Sequence, residues 1–337
     1  MTKFLIVAPS WVGDTVIAQP LLTRLLKRNP GSIIDVFAPR WVAPVLTRMP
    51  EVNAVIDNSF GHGQLRLADR WRSGRELKQR GYDHAIVLPN SFKSALLPFF
   101  ASIPKRTGFT GEARYGLLND ARKLDKAALP LMVERYALLA EEPSAPLERP
   151  LEKPRLRVDP KNLQATLTRL KLSADQPAVA FCPGAEYGPA KRWPVEHFAA
   201  LAKTYIESGH QVWLMGSPKD KPVCAEINRL SGDLCKDLSG LTGLHEVIDL
   251  MSCAKLVVSN DSGLMHIAAA LDKPMAALFG SSSPKHTPPL SDNAKIISLN
   301  LDCSPCFQRE CPLGHFNCMQ QMQPAMVEEN LRRISGG

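Results

Sequence analysis

Residues 255–280, KLVVSNDSGLMHIAAALDKPMAALFG, constrain the fold of this 337-residue chain more than any other stretch. Leu256, Val257 and Val258 form an apolar run that reads as a buried strand ending at polar Ser259, Asn260 and Asp261. Ser262 and Gly263 then open a helical segment carrying Met265, His266, Ile267 and a run of alanines. A second apolar strand, Pro274 to Phe279, completes a strand–helix–strand unit of the minimum length for a parallel crossover. In open α/β sheets, ligands bind at the end of such a strand. The free N–H groups of the following helix suit that spot to a phosphate. The plainer alternative is that Asp261 or Ser262 only caps the helix.

The same alternation runs through both halves. In the first, strands are expected at Phe4–Ala8, Ile33–Phe37, Val52–Ile56 and His84–Leu88. Helices are expected at Thr15–Arg28, Asp69–Arg80 and Leu131–Glu141. Pro143, Pro146, Pro150, Pro154 and Pro160 read as a linker. The pattern then restarts, with strands at Ala178–Cys182 and Val212–Met215 and helices at Val195–Ser208, Pro222–Leu230 and Leu244–Cys253. The expected architecture is α/β, two doubly wound Rossmann-like domains at residues 1–155 and 156–337 facing across a cleft. The last helix, Ala325 to Ile334, could pack on either domain.

Composition narrows the function classes. No apolar run approaches the ~20 residues that cross a bilayer, and no signal-peptide core precedes the first strand, so a cytoplasmic protein is expected. The net charge of +8 lies wholly in residues 1–125, which hold 18 Lys and Arg against 10 Asp and Glu. Residues 126–337 hold 23 of each. That excess implies a basic face for an acidic partner, or a merely solvated surface. Nucleic acid is not expected, because no nucleic-acid motif accompanies the charge. A dinucleotide enzyme is disfavoured: the turn Pro9–Asp14 lacks GxGxxG, and no Walker A motif exists. Cys303, Cys306, Cys311 and Cys318 form a cluster whose spacing is not that of a standard zinc finger. Free thiols are the first reading, with a structural zinc, His315 assisting, as the minority one.

Polar residues at successive strand ends supply candidate chemistry. Asp14 follows Gly13 where a tight turn is expected just before the first helix. Pro183 to Trp193 is a long loop with two glycines and the cationic pair Lys191–Arg192, and Gly216 to Asp220 follows the next strand. Together with Asp261, Ser262 and Gly263 these offer charge-assisted donors and backbone N–H groups for a diphosphate. Asp220 can accept from both hydroxyls of a ribose. Each has a plainer role: Asp14 and Asp220 as helix caps, Lys191 as a surface lysine.

The segments SWVGD (10–14), LPNSFKSAL (88–96), RYGLLND (114–120), CPGAEYGPAKRWP (182–194) and NDSGLMHIAAAL (260–271) resemble the ADP-heptose-dependent glycosyltransferases of family nine. The resemblance runs from Lys3 to about Ile297. It implies the GT-B fold, with the acceptor on the N-terminal domain and the nucleotide-sugar on the C-terminal one. It implies inverting transfer of L-glycero-D-manno-heptose from ADP-heptose to the first heptose of the lipid A–Kdo inner core. The acceptor would sit at the inner face of the cytoplasmic membrane, which the enzyme would approach peripherally. Asp14 matches the family's general base and Lys191 the lysine that neutralises the diphosphate. Asp220 falls where the family places a ribose-binding acid, and Ser217 beside it is a donor-binding hydroxyl; Asp261, Ser262 and Gly263 match the donor turn, with His266 one helical turn later. Lys93, Arg106 and Arg114 are expected to face the acceptor, and no catalytic metal or other cofactor is expected. Neither the resemblance nor the sequence fixes the adenine contacts; the Gly240–Leu244 loop is one candidate. Rival readings are a transferase acting on Kdo itself, an epimerase on the same fold, and a nucleotide-sugar-binding protein without turnover.

Overall fold

The central strands of this chain are too apolar to face water on either side, and they form the middles of two parallel sheets covered by helices. The computed structural model describes residues 1–61, 63–173 and 175–335. Its contacts divide the chain into two units, Met1–Pro154 and Arg155–Gly337, each holding one six-stranded sheet.

In the first unit the strands are β1 (Lys3–Val7), β2 (Ile33–Ala38), β3 (Ala54–Asp57), β4 (His84–Val87), β5 (Lys105–Phe109) and β6 (Asp120–Arg122). Their spatial order is β3-β2-β1-β4-β5-β6, so the chain reverses its direction of travel between β1 and β4. Leu5, Ala85, Ile86 and Val87 on those two central strands are fully buried. The charged sequence KRTGF hides β5 from a search for apolar runs, and Pro98 masks the helix Phe92–Phe100.

The expected single helix over 15–28 is two helices, Val12–Ile17 and Gln19–Arg28, broken at Ala18. Pro20 explains the break, since it has no N–H for the carbonyl four residues back. Residues 141–152 are not a free linker. Arg24 on the second helix donates to Glu141, Glu152 and the carbonyls of Glu148 and Pro150, and ties the segment to the first unit. Pro160 begins a helix, Pro160–Leu170, capped by Asp159, whose carboxylate accepts from the N–H groups of Lys161 and Asn162.

The second unit contains β7 (Ala178–Cys182), β8 (Gln211–Leu214), β9 (Lys236–Asp237), β10 (Leu256–Asn260), β11 (Met275–Leu278) and β12 (Ala294–Ile297). Their order is β12-β11-β10-β7-β8-β9, with the reversal between β7 and β10. Ser259 of β10 lies opposite Cys182 of β7, so both strands end at the same level. The final helix, Pro324–Ser335, belongs here: Val327 and Leu331 join Phe198, Trp193 and Met319 in one buried cluster. Trp193 Nε1 also donates to the Met322 carbonyl at 2.7 Å. Among the described residues no helix is long and apolar enough to cross a membrane.

Candidate active site

Residues placed where a doubly wound sheet reverses its strand order stand at the ligand-binding edge of the fold. In the second unit that point lies between β7 and β10. The Lys191 side chain leaves the loop after β7 and its Nζ meets Asp261 Oδ2 at 2.5 Å, directly after β10. Asp261 is 7% exposed, so its carboxylate needs this partner. An ammonium carries three donors, and one is used here, which leaves two for a ligand. Tyr187, on the same loop, lays its ring 5.2 Å from Lys191 Nζ and 5.4 Å from the Arg309 guanidinium.

Asp261 is therefore not a helix cap. Ser262 holds the N-cap position of the helix Gly263–Ala270 without a side-chain bond to its first turn. The Ser262 hydroxyl instead lies 3.3 Å from that of Ser259. First-turn N–H groups remain available to an anion, beside the positive charge of Lys191.

His266 sits one turn along that helix and is buried. Burial pushes its pKa down to about 4; Asp261 opposes the shift and Lys191 adds to it. The ring is neutral near pH 7. His84 on β4 behaves similarly, pushed down to about 4 by burial first and by Lys105 next. Its Nε2 lies 2.7 Å from the Thr107 hydroxyl, which donates to Asp120.

Both folded-state values lie below the ordinary 6.5, so the unfolded chain takes up protons first as pH falls. The stability these rings contribute is complete above about pH 6.5 and is lost towards pH 4. Thermal unfolding at pH 5 is expected to show on the order of 2 kcal/mol less stability per ring than at pH 7.5. A midpoint unchanged between those pH values would contradict the buried, neutral state of both rings.

Asp220 ends a short turn after β8. Its Oδ2 accepts from the Ser217 N–H and hydroxyl, both at 2.8 Å. The turn-forming role is thus real, and it leaves Oδ1 facing Gly184. A Cβ at Gly184 would stand 2.5 Å from that oxygen, and one at Gly216 would stand 2.7 Å from the Asp220 Cβ. Two glycines at adjacent strand ends admit the carboxylate. Gly184→Ala is expected to displace it and weaken ADP binding by about tenfold, the loss of one hydrogen bond to a charged group. Calorimetry checks this, and full affinity in a folded variant would remove Asp220 from the ribose.

In the first unit, the reversal point carries Asp14. The helix begins earlier than expected: Trp11 holds the N-cap position and Asp14 is the third helical residue, so Gly13 lies within the first turn rather than in a tight turn before it. Asp14 is half-buried. The hydroxyl of Tyr136 has its pKa raised by burial first and by the negative charge of Asp14 next, which sets the carboxylate near that ring.

The three cations expected to face an acceptor separate. Arg114 is buried and donates to the carbonyls of Pro89 and Phe109 and to Asn90 Oδ1. Arg106 donates to the carbonyls of Leu117 and Ile103 at 2.7 and 2.6 Å. Both brace loops, and for buried Arg114 this corrects the expectation. Lys93 is half-buried in the first turn of the helix Phe92–Phe100, which follows β4.

All eight cysteines are unbridged. Cys303, Cys306, Cys311 and Cys318 line one cavity of about 20 Å³. Among the described residues no group of three or more His, Cys, Asp or Glu is placed to hold a metal ion, so the zinc expectation finds no assembled site.

Asn260 also builds the site, a role that residue type alone does not reveal. Fully buried, it donates to the Pro183 carbonyl at 2.7 Å and accepts from the Trp193 N–H at 3.1 Å. It thereby fastens both ends of the Lys191 loop to β10. The available signal was an amide at the end of an otherwise apolar strand.

Residues 70–317 match the model of glycosyltransferase family 9 (heptosyltransferase). The chain belongs to that family. It is 47% identical to lipopolysaccharide heptosyltransferase 2 of Salmonella typhimurium over 98% of each chain. It is 48% identical to lipooligosaccharide heptosyltransferase 2 of Haemophilus influenzae over 88% of each. The structure of E. coli ADP-heptose lps heptosyltransferase II superposes with a TM-score of 0.89 at 45% identity, covering 99% of this chain and 98% of the other. The two parallel six-stranded α/β sheets of this glycosyltransferase, one in each unit, match the GT-B heptosyltransferase structures.

Proposed function

We propose that this heptosyltransferase moves L-glycero-D-manno-heptose from ADP-heptose to the first heptose of the lipopolysaccharide inner core. The observation that carries the reading is the Lys191–Asp261 pair beside the open first turn of the helix Gly263–Ala270. It is built for a diphosphate that gains charge as it leaves. Two further ammonium donors and the backbone N–H groups offset that charge. Asp220 accepts from the ribose, and neutral His266 backs the turn without adding charge.

On the acceptor side, Asp14 takes the proton from the attacking hydroxyl. The hydroxyl oxygen bonds to the anomeric carbon as the bond to the diphosphate breaks, so one displacement inverts the configuration. Lys93 faces the phosphate or Kdo carboxylates of the acceptor. The chemistry calls for no metal, since Lys191 supplies the positive charge. The protein works in the cytoplasm, at the inner face of the membrane that carries the acceptor.

Turnover with ADP-heptose in metal-stripped buffer containing EDTA tests the donor half. Undiminished turnover is expected; restoration only by added Mg²⁺ would contradict it. An epimerase would consume ADP-heptose without any acceptor, and the same assay reports that.

A further inference from the structure

The helix Leu67–Lys78 turns Arg70, Gly74 and Leu77 inward and a chemically distinctive face outward. Leu67, Trp71, Arg75 and Lys78 fall at i, i+4, i+8 and i+11, one stripe along the helix. Leu67 is 52% exposed, Trp71 54%, and Leu65 just ahead of the helix 48%. Three large apolar side chains on one short stretch are more than a soluble surface needs. Around them stand exposed Arg66, Arg72, Arg75 and Lys78. The Arg75 guanidinium lies 5.9 Å from the Trp71 ring.

The presentation is fixed rather than incidental. Arg70 is buried, lies 4.2 Å over the Phe60 ring, and donates to the carbonyls of Leu65 and Gln64 at 2.6 and 3.2 Å. That grip holds the loop bearing Leu65 against the helix. Gly74 admits the helix Phe92–Phe100, because a Cβ there would stand 2.5 Å from Phe100 Cβ. Acid on this face is limited. Asp69 is engaged by Arg66 and Arg72, and Glu76 is the other carboxylate. Residues 65–80 hold six Lys and Arg against two Asp and Glu.

We infer that this face docks on an anionic lipid surface, with Leu65, Leu67 and Trp71 entering the interface and the surrounding cations pairing with headgroup phosphates. The charge complementarity selects an anionic bilayer, and the apolar stripe separates it from a purely ionic partner. Long basic side chains can lie along the apolar surface while their heads stay wet. This goes beyond the proposed reaction and names the surface that would bring the enzyme to a membrane-borne acceptor.

The test is flotation of the whole protein with vesicles of phosphatidylcholine, with and without phosphatidylglycerol. Wild type is expected to float with the anionic vesicles and not with the neutral ones. Leu67→Ser with Trp71→Ser, and separately Arg72→Glu with Arg75→Glu, should each weaken that binding by about tenfold or more. Unfolding midpoints and turnover on a water-soluble, acyl-free acceptor should be unchanged in both, which separates this inference from the proposed reaction. Wild type that stays unbound, or variants that float as well as wild type, would overturn it. So would binding to heparin that fails in the arginine variant while the Leu67/Trp71 variant floats normally, since that marks a polyanion site.

Discussion

Asp14→Asn is expected to lower kcat by about a hundredfold or more while leaving ADP-heptose affinity and the unfolding midpoint unchanged. The amide keeps the size and shape of the carboxylate but cannot take a proton from the acceptor hydroxyl. Trp11, not Asp14, holds the N-cap position, so the substitution does not strip the helix of its cap. Asp14 is also near Tyr136, whose buried hydroxyl feels its charge, and Tyr136→Phe serves as a control. If Asp14 acted only on that ring, the two variants would lose activity together. An active and stable Asn variant would end the assignment of Asp14 as base and leave the donor half standing.

Lys191→Ala should weaken ADP and ADP-heptose binding by about tenfold or more, the effect of losing a charged hydrogen bond worth ~1.5–3 kcal/mol. Its consequences extend beyond the phosphate. Asp261 is nearly buried and meets Lys191 Nζ at 2.5 Å, so the alanine leaves a carboxylate unpaired beside the anion. The unfolding midpoint should fall as well. Adding Asp261→Asn to Lys191→Ala is expected to recover the midpoint, because a neutral amide costs less to bury. It should not recover ADP affinity, because the ammonium is still missing. Calorimetry and thermal unfolding separate the two effects. Wild-type ADP affinity in the folded single variant would remove Lys191 from the diphosphate.

The α/β architecture and the donor turn were legible because apolar runs and helical periodicity are strong local signals. Leu256–Asn260 and Gly263–Ala270 stand almost where that pattern puts them. Less legible were elements whose identity is set by neighbours. β5 begins with Lys-Arg and becomes a strand because β4 pairs with it. Pro160 read as linker, whereas Asp159 before it makes it a helix start.

The site divides the same way. Residue type and spacing singled out Lys191 and Asp261, but no pattern could say that they bond each other across 70 positions. Arg114 shows the opposite limit. A basic segment looked like a binding face, yet its guanidinium turns inward to Pro89 and Phe109 carbonyls. Direction is a property of packing, and charge counts do not contain it. Asn260 was seen as the polar end of a strand, while its role in holding Pro183 and Trp193 needed the folded loop.

The most direct measurement of the whole account is ADP release from ADP-heptose with defined lipid A–Kdo acceptors, prepared with and without the first heptose. Release is expected with the heptose-bearing acceptor, to lie near background with the one lacking it, and to be absent without acceptor. Equal release with both acceptors, or release that needs none, would contradict transfer to the first heptose.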